Sequence, residues 1–319
     1  DISILKDLGY DVLLSNRIFD SLLFWKYDIL FSYFYRYSFF AALLAKCFGK
    51  KTYFTGGIDS LDSDYASAFN YKIQALFFKL CYWVADSCII VSQSDLKNIF
   101  KVSSLKKKLS YSEHVINTKL FIADVPKEKI FTSIVWMGDE GNVVRKGVDK
   151  ALQIFAELKK IPEFVDYRFV IIGRKGEGEV LVRSIIDKYN LKGSVELKGE
   201  VSEEDKINLL KQSKYYFQLS LYEGFGLAAL EALCANNIII HSGKGGLANP
   251  IYKEQLLFDI DNDFDSELLK LVNKLACFTP ITSYDNLLEY YDIQRRKDDF
   301  EAIIAVSYTH LTLPTNSLV

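Results

Sequence analysis

Short apolar runs alternate with longer segments of helical periodicity in the first third of the chain. Four of the runs have the length and composition of buried strands: 11–15, 27–32, 51–55 and 87–92. The longest helical segment between them covers 65–85, and Ser94 is predicted to cap the helix after the last strand. Such alternation is typical of a parallel sheet with helices on both faces.

A second series of the same kind follows a polar, lysine-rich stretch that contains Pro126. Its predicted strands are 133–137, 169–173, 194–199, 214–220 and 238–241. Its predicted helices are 147–159, 179–189, 203–212 and 225–235. The chain is therefore predicted to be of the α/β class, with two Rossmann-like domains in tandem. Such a pair favours a ligand cleft at the carboxyl ends of the strands.

Changes in composition set the predicted domain boundaries. We place an N-terminal domain at 1–122, a second domain at 123–283, a returning C-terminal helix at 284–305 and a tail at 306–319. The tail contains Thr, Leu and Pro and differs from the amphipathic helix before it, so we expect it to be non-native or disordered. Because the chain opens with Asp1, we also expect it to be part of a longer gene product.

Residues 29–48 approach the length of a membrane span, and two interpretations compete for them. Arg36 and Lys46 lie within this stretch, and charged residues at bilayer depth are costly. The same residues divide naturally into a strand at 28–33 and a helix at 37–48. We therefore favour a buried strand–helix unit over a membrane span.

Composition excludes several classes of protein. Half of the 319 residues are hydrophobic and 25% are charged, which is typical of a globular protein and not of a disordered or fibrous one. The formal charge of −2 gives no indication of a nucleic-acid partner. The five cysteines lie apart from one another, without the close spacing of a zinc or redox motif. They are predicted to be reduced thiols in a cytoplasmic protein.

The strongest chemical signal is the string from Leu219 to Leu233, LSLYEGFGLAALEAL, in which a strand end, a glycine turn and a helix follow one another. Gly224 and Gly226 allow close approach of a ligand, and the N-terminus of the helix suits a diphosphate. Glu223 and Glu231 would repel that anion, so their natural targets are sugar hydroxyls. The alternative interpretation is a capped helix with a surface glutamate.

Three further turns follow predicted strands of the second domain. Arg145 and Lys146 precede the helix that starts at 147, where either could bind a phosphate, although a solvated basic pair is an equal alternative. Gly173 and Arg174 form a turn that could pass along a nucleotide, which is a weak signal when taken alone. The turn at 198–201, which ends at Val201, could frame a base.

Together these residues resemble the C-terminal half of retaining glycosyltransferases of the GT-B fold, glycosyltransferase family 4. EGFGLAALE at 223–231 is similar to the paired-glutamate motif of that family, Lys146 matches its phosphate-binding lysine, and the sequence at 242–247 resembles its Gly-Gly loop. The match at 85–92 and at the linker 116–121 is weaker. The first strand and glycine-rich loop of the N-terminal domain have no counterpart here.

The resemblance implies two Rossmann-like domains that face a central cleft. It implies that Glu231 binds ribose hydroxyls, that Glu223 holds hydroxyls of the transferred sugar, and that Lys146 stabilises the diphosphate leaving group. Glu223 and Lys146 are then the catalytic residues, and no metal or other cofactor is expected. The implied donor-binding residues are Arg145, Lys146, Gly173, Arg174, Val201, Glu223, Gly224, Phe225, Gly226, Leu227 and Glu231.

The chain departs from the family pattern at three motifs. Asp139 stands where an arginine is common, Gly56 and Gly57 occupy a turn that often carries a histidine, and Asn249-Pro250 follows the Gly-Gly loop in place of an acid. The first two, together with the missing N-terminal strand, leave open a rival interpretation, a sugar-nucleotide-binding protein without turnover. An epimerase of the same fold is a further alternative. A nicotinamide oxidoreductase ranks low, because no G-x-G-x-x-G follows a first strand.

The expected activity is transfer of a hexose from a nucleotide-diphosphate sugar to a glycan, lipid-linked or small-molecule acceptor, with retention of configuration. Gly57 and Asp59 are candidate acceptor-side residues, although Asp59 is also a common turn former. The segment Lys97–Lys108 interleaves five lysines with apolar residues and could contact an anionic membrane surface. A solvated basic loop is the alternative for that segment. We expect a cytoplasmic protein at the inner face of the membrane, active in polysaccharide biosynthesis.

Overall fold

The computed structural model describes residues 1–56, 58, 61–122, 125–278 and 285–309. The chain divides into two compact units. Unit 1 combines Asp1–Val115 with the segment that starts at Asp292, and unit 2 is Ile116–Tyr291. The sequence placed the changes of domain at 122/123 and 283/284. The observed changes lie at 115/116 and 291/292, and the N–H of Ile116 donates to the carbonyl of Tyr291 within unit 2.

Unit 1 is built on a four-stranded parallel sheet in the order β1-β2-β3-β4. The strands are β1 (Ile29–Tyr33), β2 (Lys51–Thr55), β3 (Ser87–Ile90) and β4 (Leu109–Tyr111). The helices of this part are α1 (Ile2–Asp7), α2 (Tyr35–Cys47), α3 (Ala68–Val84) and α4 (Gln93–Val102). Buried residues of α2, α3 and α4 pack with those of β2 and β3 in one core cluster. The buried strand–helix unit predicted for 29–48 is therefore confirmed.

Unit 2 contains a six-stranded parallel sheet in the order β10-β9-β8-β5-β6-β7. Its strands are β5 (Glu128–Ile134), β6 (Arg168–Ile172), β7 (Val195–Gly199), β8 (Ser213–Gln218), β9 (Ile238–His241) and β10 (Leu256–Leu257). Its helices are α5 (Glu140–Arg145), α6 (Val148–Leu158), α7 (Glu179–Lys188), α8 (Glu203–Gln212), α9 (Leu227–Cys234), α10 (Phe264–Cys277) and α11 (Asp285–Tyr290). The chain then returns to unit 1 as α12 (Ile293–Thr309). The α/β class with two parallel sheets is confirmed.

The two faces of the second sheet bury different helices. Phe131 of β5 stacks on Tyr215 and Phe217 of β8, at ring-centre distances of 4.6 and 5.1 Å, and this face also buries α6. Tyr216, which points the other way, packs with α9 in a second cluster. Successive strand residues thus supply opposite cores, as expected for a sheet covered on both sides.

The strand order decides which loops meet. β8 lies between β5 and β9, and all three strands are parallel. The loops that follow these strands therefore lie at one carboxyl edge of the sheet. They carry Lys146, Glu223 and the Gly245-Gly246 pair.

Two details of the sequence interpretation are wrong. Residues 11–15 form no strand, and Leu13 and Leu14 are 66% and 72% exposed. An apolar run of this length does not become a strand without a neighbouring strand to pair with. The N-cap of α4 is Ser92, not Ser94, because the Ser92 hydroxyl accepts from the N–H of Asp95.

Other details concern the ends of elements and the membrane. β4 and β10 were not predicted, because each is too short to show periodicity. α12 continues past the predicted tail boundary at 306 to Thr309, and residues 310–319 lie outside the described part of the chain. Within the described residues, no helix combines the length and the apolar character that crossing a bilayer requires.

Arg296 anchors α12 in unit 1. Its guanidinium is fully buried and donates to both carboxylate oxygens of Asp1, at 2.7 and 2.9 Å. The same group donates to the backbone carbonyls of Ser112 and Glu113 and lies 4.7 Å from the centre of the Phe300 ring. Burial lowers the pKa of Arg296 to about 10, so the group is charged at neutral pH. Removing it would leave the buried Asp1 carboxylate with the Tyr33 hydroxyl as a hydrogen-bond donor but without its counterion.

We predict that Arg296→Met destabilises unit 1 by about 3–5 kcal/mol, because one partner of a buried ion pair is lost. Urea unfolding followed by circular dichroism measures this change. Gln294→Met, an exposed position on the same helix, is the matched control and should shift the midpoint little. Equal shifts for the two variants would contradict the proposed anchoring role of Arg296.

Candidate functional site

Glu223 is the centre of a polar cluster in unit 2. Its Oε1 atom accepts from the Lys146 ammonium at 2.5 Å, from the Gln218 amide at 2.8 Å and from the Ser220 hydroxyl at 2.9 Å. The side chains of Glu223 and Lys146 are 12% and 22% exposed. The Glu223 carboxylate is therefore held by one cation and two neutral hydrogen-bond donors. The side chains of Glu223 and Lys146 are both still partly accessible to solvent.

The local sequence forces this arrangement through two left-handed glycines. Gly147 (φ 67°) precedes α6 and Gly226 (φ 89°) precedes α9, a conformation that residues with a side chain rarely adopt. A Cβ on Gly147 would lie 2.0 Å from the carbonyl oxygen of Leu219. The N–H of Leu221 also donates to the carbonyl of Arg145 at 2.8 Å. The loops that carry Lys146 and Glu223 are thus joined by backbone contacts.

The Gly-Gly loop packs against the same turn. The N–H of Gly246 donates to the carbonyl of Glu223 at 2.6 Å, and a Cβ on Gly245 would lie 2.2 Å from that oxygen. The Ser242 hydroxyl donates to the carbonyl of Ser220 at 2.6 Å. The loop after β9 therefore supports the backbone of the glutamate turn from behind, which explains why two glycines stand together there.

Glu231, in the second turn of α9, forms a separate ion pair. The Lys206 ammonium of α8 donates to its carboxylate at 2.8 Å and also lies 2.8 Å from a carboxylate oxygen of Glu203. The pKa of Glu231 is raised, because burial penalises the carboxylate more than the Lys206 ammonium stabilises it. Burial lowers the pKa of Lys206, but its hydrogen bonds to the two glutamates more than offset this, so that pKa is raised. Glu231 is thus an acceptor held in place by a cation.

The structure adds site residues that the sequence interpretation missed. Gln218 lies in β8, and its side chain connects Glu223 with the hydroxyl of Tyr216, which lies 3.1 Å from the Gln218 carbonyl oxygen. The N–H of Ile134 donates to the same hydroxyl at 3.2 Å. One signal was available for Gln218, since it is a polar residue between the buried apolar residues Phe217 and Leu219. Lys206 carried no such signal, because its partner is 25 positions away.

Most of the other residues predicted to bind the donor contact neighbouring protein groups, and one is exposed to solvent. The Arg145 guanidinium donates to the Asn142 side chain at 2.7 Å, which holds it at the end of α5. Gly173 (φ 130°) approaches the backbone of Val135 so closely that a Cβ would lie 2.0 Å from its carbonyl oxygen. Val201 packs on a core cluster, whereas Arg174 is exposed.

The turn from 224 to 227 combines buried and exposed positions. Phe225 is buried, with its ring centre 6.1 Å from that of Tyr291, and Leu227 is 41% exposed. Gly224 lies between Glu223 and Phe225 and is partly exposed. The N-cap of α9 is a glycine, so no side chain caps the first N–H groups of that helix. Those donors suit an anion, as predicted from the sequence.

The remaining residues singled out in the sequence are Asp139, Gly57 and Asp59. Asp139 is the N-cap of α5, where its carboxylate accepts from the N–H of Asn142 at 2.6 Å, so it serves a helix end. Gly57 and Asp59, the candidate acceptor-side residues, lie outside the described residues and stay predictions. In the described part of the chain, no three His, Cys, Asp or Glu side chains are grouped to hold a metal ion.

The second unit is similar to known proteins. The family model described as Glycosyl transferases group 1 matches residues 141–275. A GDP-mannose:cellobiosyl-diphosphopolyprenol alpha-mannosyltransferase of Xanthomonas oryzae pv. oryzae is 32% identical over 163 residues, which cover 44% of this chain and 40% of that protein. One of the subunits of the human phosphatidylinositol N-acetylglucosaminyltransferase is 30% identical over 105 residues, which cover 33% and 21%. The chain thus spans less than half the length of these relatives.

Solved structures show the fold. The structure of HepE from Anabaena in complex with UDP and glucose has a TM-score of 0.63 and 13% sequence identity, and the match covers 92% of this chain and 80% of that one. At this identity the likeness concerns the fold alone. The GT-B fold predicted from the sequence is confirmed.

We predict that Gly245→Ala destabilises unit 2 by more than Gly193→Ala does. Both glycines have a positive φ, so each substitution costs about 1–2 kcal/mol in backbone strain. A Cβ on Gly193 meets nothing within 4 Å, whereas one on Gly245 meets the Glu223 backbone and costs about 1–3 kcal/mol more. Urea unfolding of the two variants measures the difference, and equal losses would show that the contact with Glu223 is unimportant.

Proposed function

Since residues 141–275 belong to the glycosyl transferases group 1 family, we propose that the protein transfers a hexose from a nucleotide-diphosphate sugar to an acceptor with retention of anomeric configuration. The observation that carries the proposal is the Glu223–Lys146 pair, held between two glycine-initiated helices. It places a hydroxyl acceptor and a cation side by side at a helix N-terminus. A sugar diphosphate needs both kinds of group within a short distance.

The chemistry of the leaving group gives Lys146 its role. Cleavage of the bond between the sugar and the diphosphate leaves negative charge on the departing phosphate oxygens. Preorganised donors at that point lower the barrier, because they need no reorganisation when the charge forms. Lys146 and the first N–H groups of α9 are such donors, and Arg145 supports them. We propose that they suffice without a divalent metal, so that turnover continues in the presence of EDTA.

The two glutamates bind hydroxyls in this proposal. Glu223 accepts from hydroxyls of the transferred sugar, and the adjacent Lys146 offsets the repulsion between its carboxylate and the diphosphate. Glu231 accepts from the ribose hydroxyls, with Lys206 fixing its position. Gly173, Arg174 and Val201 frame the nucleotide. The structure of HepE, which has the same fold, holds UDP and glucose, so the fold is compatible with a nucleotide donor of this kind.

We propose a lipid-linked acceptor. The two relatives described above are named for a diphosphopolyprenol-linked sugar and for phosphatidylinositol, and both of these are lipids. An acceptor of this kind lies in a membrane, so the enzyme would work at the inner face of the membrane, on the cytoplasmic side. Cys47, Cys81, Cys88 and Cys234 are free thiols, which supports a reducing compartment.

One observation favours the second candidate, a protein that binds the donor without turnover. Gly56 has a φ of 104°, which favours glycine, at a turn where related enzymes often carry a histidine. A glycine supplies no acid–base group. Donor binding without donor hydrolysis or sugar transfer would favour this candidate over the enzyme.

We predict that UDP-, GDP- or ADP-sugars raise the melting temperature, with one base preferred, and that the preferred donor is hydrolysed or transferred. Lys146→Met should lower turnover about 100-fold or more, as expected for a donor to the charge that develops on the leaving group. Glu223→Gln should lower turnover by a similar factor, because the transferred sugar loses a charged hydroxyl acceptor and Lys146 loses its counterion. Lys192→Met, an exposed lysine of unit 2, is the control. The proposal fails if no nucleotide sugar binds.

The raised pKa of Glu231 predicts a pH dependence of nucleotide binding. The ionised carboxylate accepts hydrogen bonds from hydroxyls more strongly than the protonated acid does, so binding weakens as the pH falls through this raised pKa. Lys206→Met removes a cation that lowers the pKa of Glu231, so the loss should begin at a higher pH than in the parent protein. Calorimetry with the preferred nucleoside diphosphate measures this shift. Lys211→Met on the same helix should leave the profile in place, and an unchanged profile in Lys206→Met would exclude the coupling.

A further inference from the structure

A stripe of large apolar side chains runs along the outer face of α3 in unit 1. Phe69, Leu76 and Trp83 follow at intervals of seven residues and are 71%, 56% and 70% exposed. Seven residues make nearly two helical turns, so the three side chains share one face over about 21 Å. The opposite face packs in the core of unit 1 through Phe78 and Cys81. The stripe therefore belongs to a helix that the fold holds in place.

Basic side chains are interleaved with the stripe. Lys72 and Lys79 lie on the turns between the apolar residues and are exposed. Neither α2 nor α3 contains an acidic residue, although the chain as a whole has 41 acidic and 39 basic residues. The α3 surface consists of Phe69, Lys72, Leu76, Lys79 and Trp83. This surface is apolar and basic within a chain of net negative charge.

The last residue of the lysine-rich segment noted in the sequence, Lys108, lies at the C-terminal end of this helix. The Lys108 ammonium donates to the carbonyl of Trp83 at 2.9 Å and thus caps the helix, so it is not one of the outward-facing lysines. Lys106 and Lys107 are exposed, and the Lys106 ammonium lies 4.8 Å from the centre of the Phe100 ring. The segment thus contacts the end of α3 through Lys108 and presents Lys106 beside the ring of Phe100.

The mixture of groups decides what kind of partner fits the α3 surface. A protein layer over this face would bury Lys72 and Lys79, which is costly unless each finds a carboxylate. A bilayer accepts both kinds of group, because aromatic rings enter at the headgroup level while lysine ammonium groups stay among the lipid phosphates. We propose that the α3 surface, with Lys106 and Lys107, docks unit 1 on an anionic lipid bilayer. None of these residues belongs to the donor site, so the surface goes beyond the proposed activity.

Cosedimentation of the full chain with vesicles tests the proposal. We expect binding to vesicles of phosphatidylcholine and phosphatidylglycerol in equal parts, and little binding to phosphatidylcholine alone. Lys72→Gln with Lys79→Gln should lower the partition coefficient about 25-fold, at about fivefold per lysine. Replacement of Phe69, Leu76 and Trp83 by serine should abolish binding.

The matched control removes three exposed apolar residues of unit 2, at Val165, Val180 and Leu269. Retained binding in this control, with loss in the α3 variants and unchanged circular dichroism, supports the proposal. No binding to anionic vesicles overturns it. So does a dimer in sedimentation velocity that only the serine variant loses, since the occupant is then a second copy.

Donor hydrolysis in solution separates this proposal from the activity. The α3 variants should hydrolyse the preferred nucleotide sugar at the rate of the parent protein, because they leave unit 2 unchanged. Vesicle binding without any donor turnover would refute the activity and support the surface. Donor turnover without vesicle binding would do the reverse.

Discussion

Unit 2 is organised around the cost of keeping the Glu223 carboxylate largely out of water. A charge in that position is stable only with a counterion and hydrogen-bond donors around it. Lys146 supplies the counterion from the loop after β5, and Gln218 and Ser220 supply donors from the end of β8. These groups follow the ends of two different strands. They meet because β5 and β8 are parallel neighbours, so that their carboxyl ends lie side by side. The site therefore depends on the strand order of the sheet.

The backbone is as important to this site as the side chains. Gly147, Gly226 and Gly245 adopt left-handed conformations, and a Cβ at the first or third would collide with backbone of the loops beside it. A site of this kind is fixed before any ligand arrives. Preorganisation matters most for groups that meet a developing charge, since a donor that must first rotate into place loses part of its benefit.

Several helices and strands of unit 2 could be predicted from the sequence, for physical reasons. Repeated strand–helix periods and glycine turns are local patterns, and the helix at 203–212 and the strand at 238–241 were placed at their observed ends. Pairings between distant positions leave no local pattern, so the Lys206–Glu231 pair was not foreseen. The strand predicted at 11–15 does not form, for a related reason. Apolar composition makes a strand possible, but only a neighbouring strand makes it form.

The buried Arg296 guanidinium has a consequence for the order in which the chain folds. It joins a helix from the end of the chain to Asp1, and unit 2 lies in sequence between these two parts of unit 1. During synthesis, unit 2 emerges from the ribosome before α12 does. Unit 2 can therefore form its sheet first, while the early strands of unit 1 wait for their last helix. The ion pair can therefore form only after unit 2 has been synthesised, and unit 2 has the position of an inserted domain that can fold ahead of its host.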